Sequence, residues 1–139
     1  MRRFGVRSLV LAGAAALLVA ACGGTSGTAA ATIETVSPAR AAEIIGEGRP
    51  GLVVLDVRTP EEFVGGHLAG AVNLDFYHPG FAGALAALDR ATPYVLYCRV
   101  DNRSAEVREM MRDLGFTEVY EVDGGIVAWV EEGRPFVRP

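Results

Sequence analysis

Cys98, in the stretch Tyr94-Val-Leu-Tyr-Cys-Arg-Val-Asp-Asn-Arg-Ser104, is the side chain of this sequence with the most reactive setting. A cysteine is a nucleophile as its thiolate, and cations or helix N-terminal amides favour that form. Arg99 and Arg103 share the stretch. Val95-Leu96-Tyr97, just before the thiol, is apolar and β-prone. After it, Val107, Met110, Met111 and Leu114 fall at i, i+3, i+4 and i+7, the spacing of one helix face. The order is therefore strand, tight loop, helix, with the thiol at the strand exit and the loop feeding a helix N-terminus. Amides there attract an anion, whether a thiolate or a bound oxyanion. The bland alternative, an inert buried cysteine, accounts for neither the loop position nor the two arginines.

The flanking segments predict what positions this loop. Ile33–Val36 is a candidate edge strand. Ser37 and Pro38 suit the cap and first turn of a helix over 39–46, and Gly46 closes it. Leu52-Val-Val-Leu-Asp-Val57 is nearly all apolar, as in a parallel strand covered on both faces. Thr59 and Pro60 open a brief helix ended by Gly65-Gly66, and Ala71–Leu74 is a short strand. Phe81, Ala84, Leu85 and Leu88 predict a helix over 80–89, stopped by Thr92-Pro93. The helix after Cys98 covers 103–114, with Gly115 as its terminator. Glu118–Val122 alternates as a strand does. Asp123-Gly-Gly125 then turns into a last helix with Ile126, Trp129 and Val130 facing inward. Strands alternating with helices predict an α/β three-layer domain over residues 33–139 with a mostly parallel sheet. Ligands in such sheets sit beyond the carboxyl ends of the strands, which is where Cys98 falls.

The first part of the 139-residue chain reads differently. Met1–Arg7 carries three arginines and no acid, and Leu9–Ala21 is an apolar run of about a dozen residues, the length of a signal-peptide core and short for a membrane span. The run ends in Val19-Ala-Ala-Cys22, which resembles the lipobox of bacterial lipoproteins. That resemblance implies a signal peptide over residues 1–21, lipidation of Cys22, and an exported protein anchored to the bacterial cell membrane on its periplasmic or extracellular face. Residues 22–32 are small and patternless, as in a flexible tether.

Without residues 1–21 the formal charge falls from −4 to −7, ten arginines against seventeen acids, and the chain has no lysine. Such a domain is a poor nucleic-acid binder. With Cys22 assigned to the lipobox, Cys98 is left without a disulfide partner in an oxidising compartment, where a free thiol persists when buried or used.

The loop from Cys98 to Arg103 has a size that matters. If its N–H groups curl inward they surround the sulfur and favour the thiolate, each ~1.4 kcal/mol of preference being tenfold in its population. The same ring suits a persulfide anion or a sulfur oxyanion such as thiosulfate. Phosphatases with a nucleophilic cysteine place five residues between Cys and Arg. This chain places four, a narrower ring suited to a sulfur atom.

The chain resembles a single-domain rhodanese, a thiosulfate sulfurtransferase-type domain. The resemblance rests on Leu55-Asp-Val-Arg-Thr-Pro-Glu-Glu-Phe63, Gly66-His-Leu-Ala-Gly-Ala-Val-Asn73, Tyr97-Cys-Arg99 with Asn102-Arg-Ser104, Leu114-Gly-Phe116 and Gly124-Gly-Ile-Val-Ala-Trp129, in order across the domain. It implies a five-stranded parallel sheet flanked by helices, no metal or organic cofactor, and a monomer. It also implies Cys98 as catalytic residue, alternating between thiol and persulfide. Arg99, Val100, Asp101, Asn102, Arg103 and Ser104 would be the substrate-binding loop. Partners would be a small sulfur-oxyanion donor and a thiol or cyanide acceptor.

Val100 and Asp101 depart from the Ser-Gly of the common family loop. An Asp carboxylate close to an anionic sulfur disfavours the thiolate and weakens thiosulfate binding, unless it points outward or pairs with Arg99 or Arg103. This departure motivates an alternative, a low-turnover binding or redox-sensing module. A phosphatase or arsenate reductase ranks third because of the short loop. His67 and His78 read as structural or loop residues. Asp56 and Arg58 read as a scaffold brace, and Trp129 as core.

Overall fold

The computed structural model describes residues 29–138, so the expected signal peptide and Cys22 lie outside the described residues. Strands and helices alternate through them as β1 (Thr32–Val36), α1 (Pro38–Gly46), β2 (Val53–Asp56), α2 (Pro60–Val64), β3 (Val72–Asn73), α3 (Phe81–Ala86), β4 (Tyr94–Tyr97), α4 (Asn102–Asp113), β5 (Glu118–Val122) and α5 (Gly125–Glu131). The strands form one parallel sheet in the order β1-β5-β4-β2-β3. This is the five-stranded α/β architecture that the sequence implied, with β1 at one edge.

β4 has neighbours on both sides, and all four of its residues are buried. Side chains alternate across a strand, and they sort into two cores. Tyr94, Leu96 and Cys98 join Leu85 of α3 and Val107 and Met111 of α4. Val95 and Tyr97 join Ala41 and Ile44 of α1 and Ile126 and Trp129 of α5. The thiol therefore belongs to the face covered by α3 and α4, directly after the last residue of the strand. β5 pairs with β4 through Leu96 opposite Glu121. That register brings a carboxylate to the same end of the sheet.

Local chemistry sets the helix starts. The Ser37 Oγ accepts the Arg40 N–H at 3.2 Å, with Pro38 in the first turn of α1. Thr59 and Glu62 form a reciprocal capping box at α2. α3 is shorter than the predicted 80–89. Gly80 offers its N-terminus no side-chain cap, and Gly83 weakens a helix interior. Leu88 still packs against the core from the turn beyond. Val130, expected to face inward, is 40% exposed. It lines a surface cavity instead, whereas Trp129 is core as expected.

Candidate functional site

Cys98 is 1% exposed, and its residue lines a cavity of about 270 Å³ together with Thr59, Glu62, Tyr77, Arg99 and Arg103. The loop around it is held from behind by α5. The N–H groups of Ile126 and Val127 donate to the carbonyls of Cys98 and Arg99 at 3.0 and 3.2 Å. With those carbonyls turned toward α5, the amide side of the loop is free to face the sulfur. Asp101 N–H donates to Cys98 Sγ at 3.2 Å. Asp101 reaches this geometry at φ 123°, as the one non-glycine residue with positive φ among the described residues.

Asp is among the best helix N-caps, yet Asp101 at the N-cap position of α4 makes no side-chain cap. Its Oδ1 accepts the Gly124 N–H at 2.7 Å instead. Two results follow. The loop is tied to the Gly124-Gly125 turn, and the first-turn amides of α4 have no side chain capping them beside the sulfur. Burial pushes the Asp101 carboxyl up, the Gly124 N–H opposes that rise, and the charge of Asp123 adds to it.

Ser104 and Glu121 close the floor beneath the sulfur. Ser104, the third residue of α4, places Oγ 3.2 Å from Cys98 Sγ and 2.8 Å from Glu121 Oε1. Glu121 is itself buried, and its Oε2 accepts from Arg108 at 2.6 Å and from Thr35 at 3.0 Å.

A buried sulfur that accepts a loop N–H at the end of a parallel strand matches a known pattern. The rhodanese-like domain model matches residues 37–132. This chain belongs to the rhodanese family. An uncharacterized protein of Synechocystis is 33% identical over 87 residues, which cover 63% of this chain and 48% of that protein, so the chain spans about half of that relative. The thiosulfate sulfurtransferase GlpE of Pseudomonas putida is 33% identical over 94 residues, covering 68% of this chain and 82% of the enzyme. The crystal structure of a rhodanese-related protein from Thermoplasma volcanium superimposes with a TM-score of 0.65 at 33% identity, covering 75% of this chain and 97% of that one.

Within this rhodanese domain the two loop arginines have different fates. Arg103 is locked to Glu62 by two hydrogen bonds at 2.6 and 2.8 Å and lies over the Tyr77 ring. Its charge is largely answered by Glu62, whereas Arg99 makes no such pair among the described residues. Arg99 is exposed and lines both the cavity over Cys98 and a neighbouring one of about 450 Å³ floored by Ile126, Val127 and Phe136. Asp101 pairs with neither arginine; its carboxylate is taken by Gly124. Val100, 44% exposed, and Asn102 line the rim.

The bidentate bond from Arg103 holds the Glu62 carboxyl down to about 2, against the ordinary 4.5, with burial opposing and the Thr59 N–H assisting. A depressed carboxyl stabilises the fold above its ordinary value and loses that contribution as pH falls through the lowered one. Glu62→Gln is therefore expected to lower stability at neutral pH, the gap to the unaltered chain closing between about pH 4.5 and pH 2. Urea midpoints across that range check it. The Arg103 and Glu62 side chains are 13% and 29% exposed, so solvent screens the pair only in part and the loss is expected to exceed the ~0–1 kcal/mol of an open surface pair.

The remaining sequence candidates sit apart from the sulfur. His67 stacks on Phe63 at 3.9 Å and bonds the Phe63 carbonyl through Nδ1, while His78 accepts the Gly80 N–H. Asp56 and Arg58 form a buried pair that also grips the Gly66 carbonyl. In Arg58, burial opposes the charge, but the hydrogen bonds and charge of Asp56 outweigh it and hold the guanidinium protonated. The pair braces β2 against the Gly65-Gly66 turn, as expected. Four participants escaped the sequence reading: Glu62, Tyr77, Arg108 and Glu121. Glu121 left a signal, because alternation in Glu118–Val122 puts it on the same face as core Val119.

Proposed function

We propose that this chain is a sulfurtransferase that carries sulfane sulfur on Cys98. The Cys98 thiolate attacks the outer sulfur of a donor such as thiosulfate. The donor S–S bond breaks, sulfite leaves with the electron pair, and Cys98 holds a persulfide. An acceptor thiolate or cyanide then takes the outer sulfur, and the Cys98 thiolate is regenerated. The Asp101 N–H and the first-turn amides of α4 stabilise the anionic states. Arg99, the open cation at the mouth, attracts the oxyanion end of the donor, while Arg103 shapes the wall through Glu62 and Tyr77. The observation that carries this reading is a buried sulfur receiving a loop N–H beside the uncapped N-terminus of α4. Its membership in a family that includes sulfurtransferases agrees with it.

Asp101 decides how well thiosulfate serves. With its carboxylate on Gly124, its charge is engaged away from Arg99, which weakens the case for a low-turnover binding module. The charge nevertheless remains on the loop. Asp101→Gly removes it, relieves the positive φ worth ~1–3 kcal/mol, and loses one hydrogen bond worth ~1 kcal/mol. Stability is expected to change by no more than about 2 kcal/mol, and thiosulfate turnover to rise severalfold. Unchanged turnover in Asp101→Gly would assign donor choice elsewhere, most directly to Arg99.

We further propose that the protein is exported and tethered through a lipidated Cys22, on the strength of the N-terminal charge, the apolar run and the Val19-Ala-Ala-Cys22 ending. The expected mature chain begins at a diacylglyceryl-modified Cys22. Recovery of a chain that retains Met1–Ala21 refutes this.

A further inference from the structure

The carboxylate behind Ser104 has no part in the steps above, yet its geometry constrains the nucleophile. Ser104 has one hydroxyl proton and three partners: Glu121 Oε1 at 2.8 Å, the Asp101 carbonyl at 3.1 Å and Cys98 Sγ at 3.2 Å. Two of these, a carboxylate and a carbonyl, can only accept. The proton goes to Glu121, the nearest and the one with a charge behind it, because charge-assisted hydrogen bonds are the strong ones. Ser104 Oγ then presents a lone pair to the sulfur, so the sulfur must be the donor. The resting order is Cys98 S–H to Ser104 Oγ–H to Glu121.

We propose that Glu121 is a positioning residue: by holding the single proton of Ser104, it keeps the resting Cys98 as a thiol. When the thiol ionises, its proton leaves to solvent. The Ser104 O–H bond stays intact and swings from Glu121 to the thiolate. Glu121 can spare it, because Arg108 and Thr35 remain on Oε2. The carboxylate and the sulfur thus compete for one proton. The thiolate is the form that alkylators and oxidants attack, so this competition shields an idle nucleophile. The charged groups around the pair are few. Arg108 of α4 answers Glu121, Arg103 is answered by Glu62, Arg99 lies at the mouth, and the Asp101 carboxylate on the loop accepts the Gly124 N–H.

The inference rests on Cys98 being the sulfur carrier, but its test reads the thiol directly and holds whether or not sulfur is ever transferred. The test is the pH profile of Cys98 alkylation by iodoacetamide in the full chain, followed by peptide mass. Four proteins are compared: unaltered, Glu121→Gln, Ser104→Ala and the double variant. Glu121→Gln frees the Ser104 proton, and its profile is expected to move down by about one pH unit, about tenfold faster alkylation below the midpoint. Ser104→Ala removes both the acceptor of the thiol proton and the hydroxyl that swings to the thiolate, so it serves as the background against which the Glu121→Gln shift is read. In the double variant, Glu121→Gln adds nothing to Ser104→Ala.

An unmoved profile in Glu121→Gln overturns the proposal. A Glu121→Gln shift that persists without Ser104 reveals a through-space charge effect and overturns it as well. Should Glu121→Gln fail to fold, Glu121→Asp, which draws the carboxylate back from Ser104, takes its place, and a profile that does not move down in that variant overturns the proposal.

Discussion

Cys98→Ala is expected to abolish sulfur transfer while leaving the domain folded. Only a thiolate among natural side chains can attack sulfane sulfur and then hold it as a persulfide, and Cys98 is the free cysteine of the described residues. The scaffold of the site is backbone: Val57 N–H on the Tyr97 carbonyl, and Ile126 and Val127 N–H on the carbonyls of Cys98 and Arg99. None of these bonds uses the sulfur. Loss of one buried sulfur atom should cost about 1 kcal/mol of stability. The variant should therefore unfold at nearly the same urea concentration and show no turnover with any donor. Cys98→Ser should behave alike, because an alcohol is ionised far less readily than a thiol. Measurable transfer by either protein removes Cys98 from the mechanism.

Gly125→Ala should be the most damaging change outside the loop, costing at least about 3 kcal/mol. Two effects add. Gly125 has φ 57°, a conformation that an L side chain adopts at a cost of ~1–2 kcal/mol. A Cβ there would also lie 2.5 Å from the Cys98 carbonyl oxygen and 2.6 Å from that of Arg99. These are backbone atoms of the site, and they yield only if the loop moves. The damage should therefore reach activity in any molecules that still fold, because the Ile126 and Val127 amides grip those same carbonyls. Gly48 is the matched control, with φ 60° and open space where its Cβ would go. Gly48→Ala should cost about 1 kcal/mol and leave turnover intact. Equal urea midpoints for the two variants would show that close approach to the site is not what Gly125 provides.

The contrast between those two glycines also shows where sequence reading stops. Gly125 is legible as a turn residue, but the reason it must lack a Cβ is the backbone of Cys98 and Arg99, about 26 residues earlier. The fold was far more accessible. The apolar run around β2, the helical spacing after Cys98 and the caps at Ser37 and Thr59 each act locally, and each is present in the structure. The uncapped, glycine-interrupted α3 was the element whose limits the pattern overstated.

At the site, the loop itself was readable, because the cysteine, the arginines and the helix start lie within one short stretch. Its electrostatics were not. Arg103 is answered by Glu62 from a different helix, 41 residues away, and Asp101 by an amide 23 residues on. Glu121 offered half a signal, an acid on the inward face of an alternating strand. Its partner, Ser104, could be identified only once β5 was seen beside β4.

The most direct test of sulfur carriage is the intact mass of the purified protein after exposure to thiosulfate and removal of excess donor. The account predicts a gain of one sulfur atom, located by peptide mass to the segment containing Cys98, absent in Cys98→Ala and lost on adding cyanide or a thiol. A protein that keeps its unloaded mass with thiosulfate and with every other sulfane donor tried contradicts it.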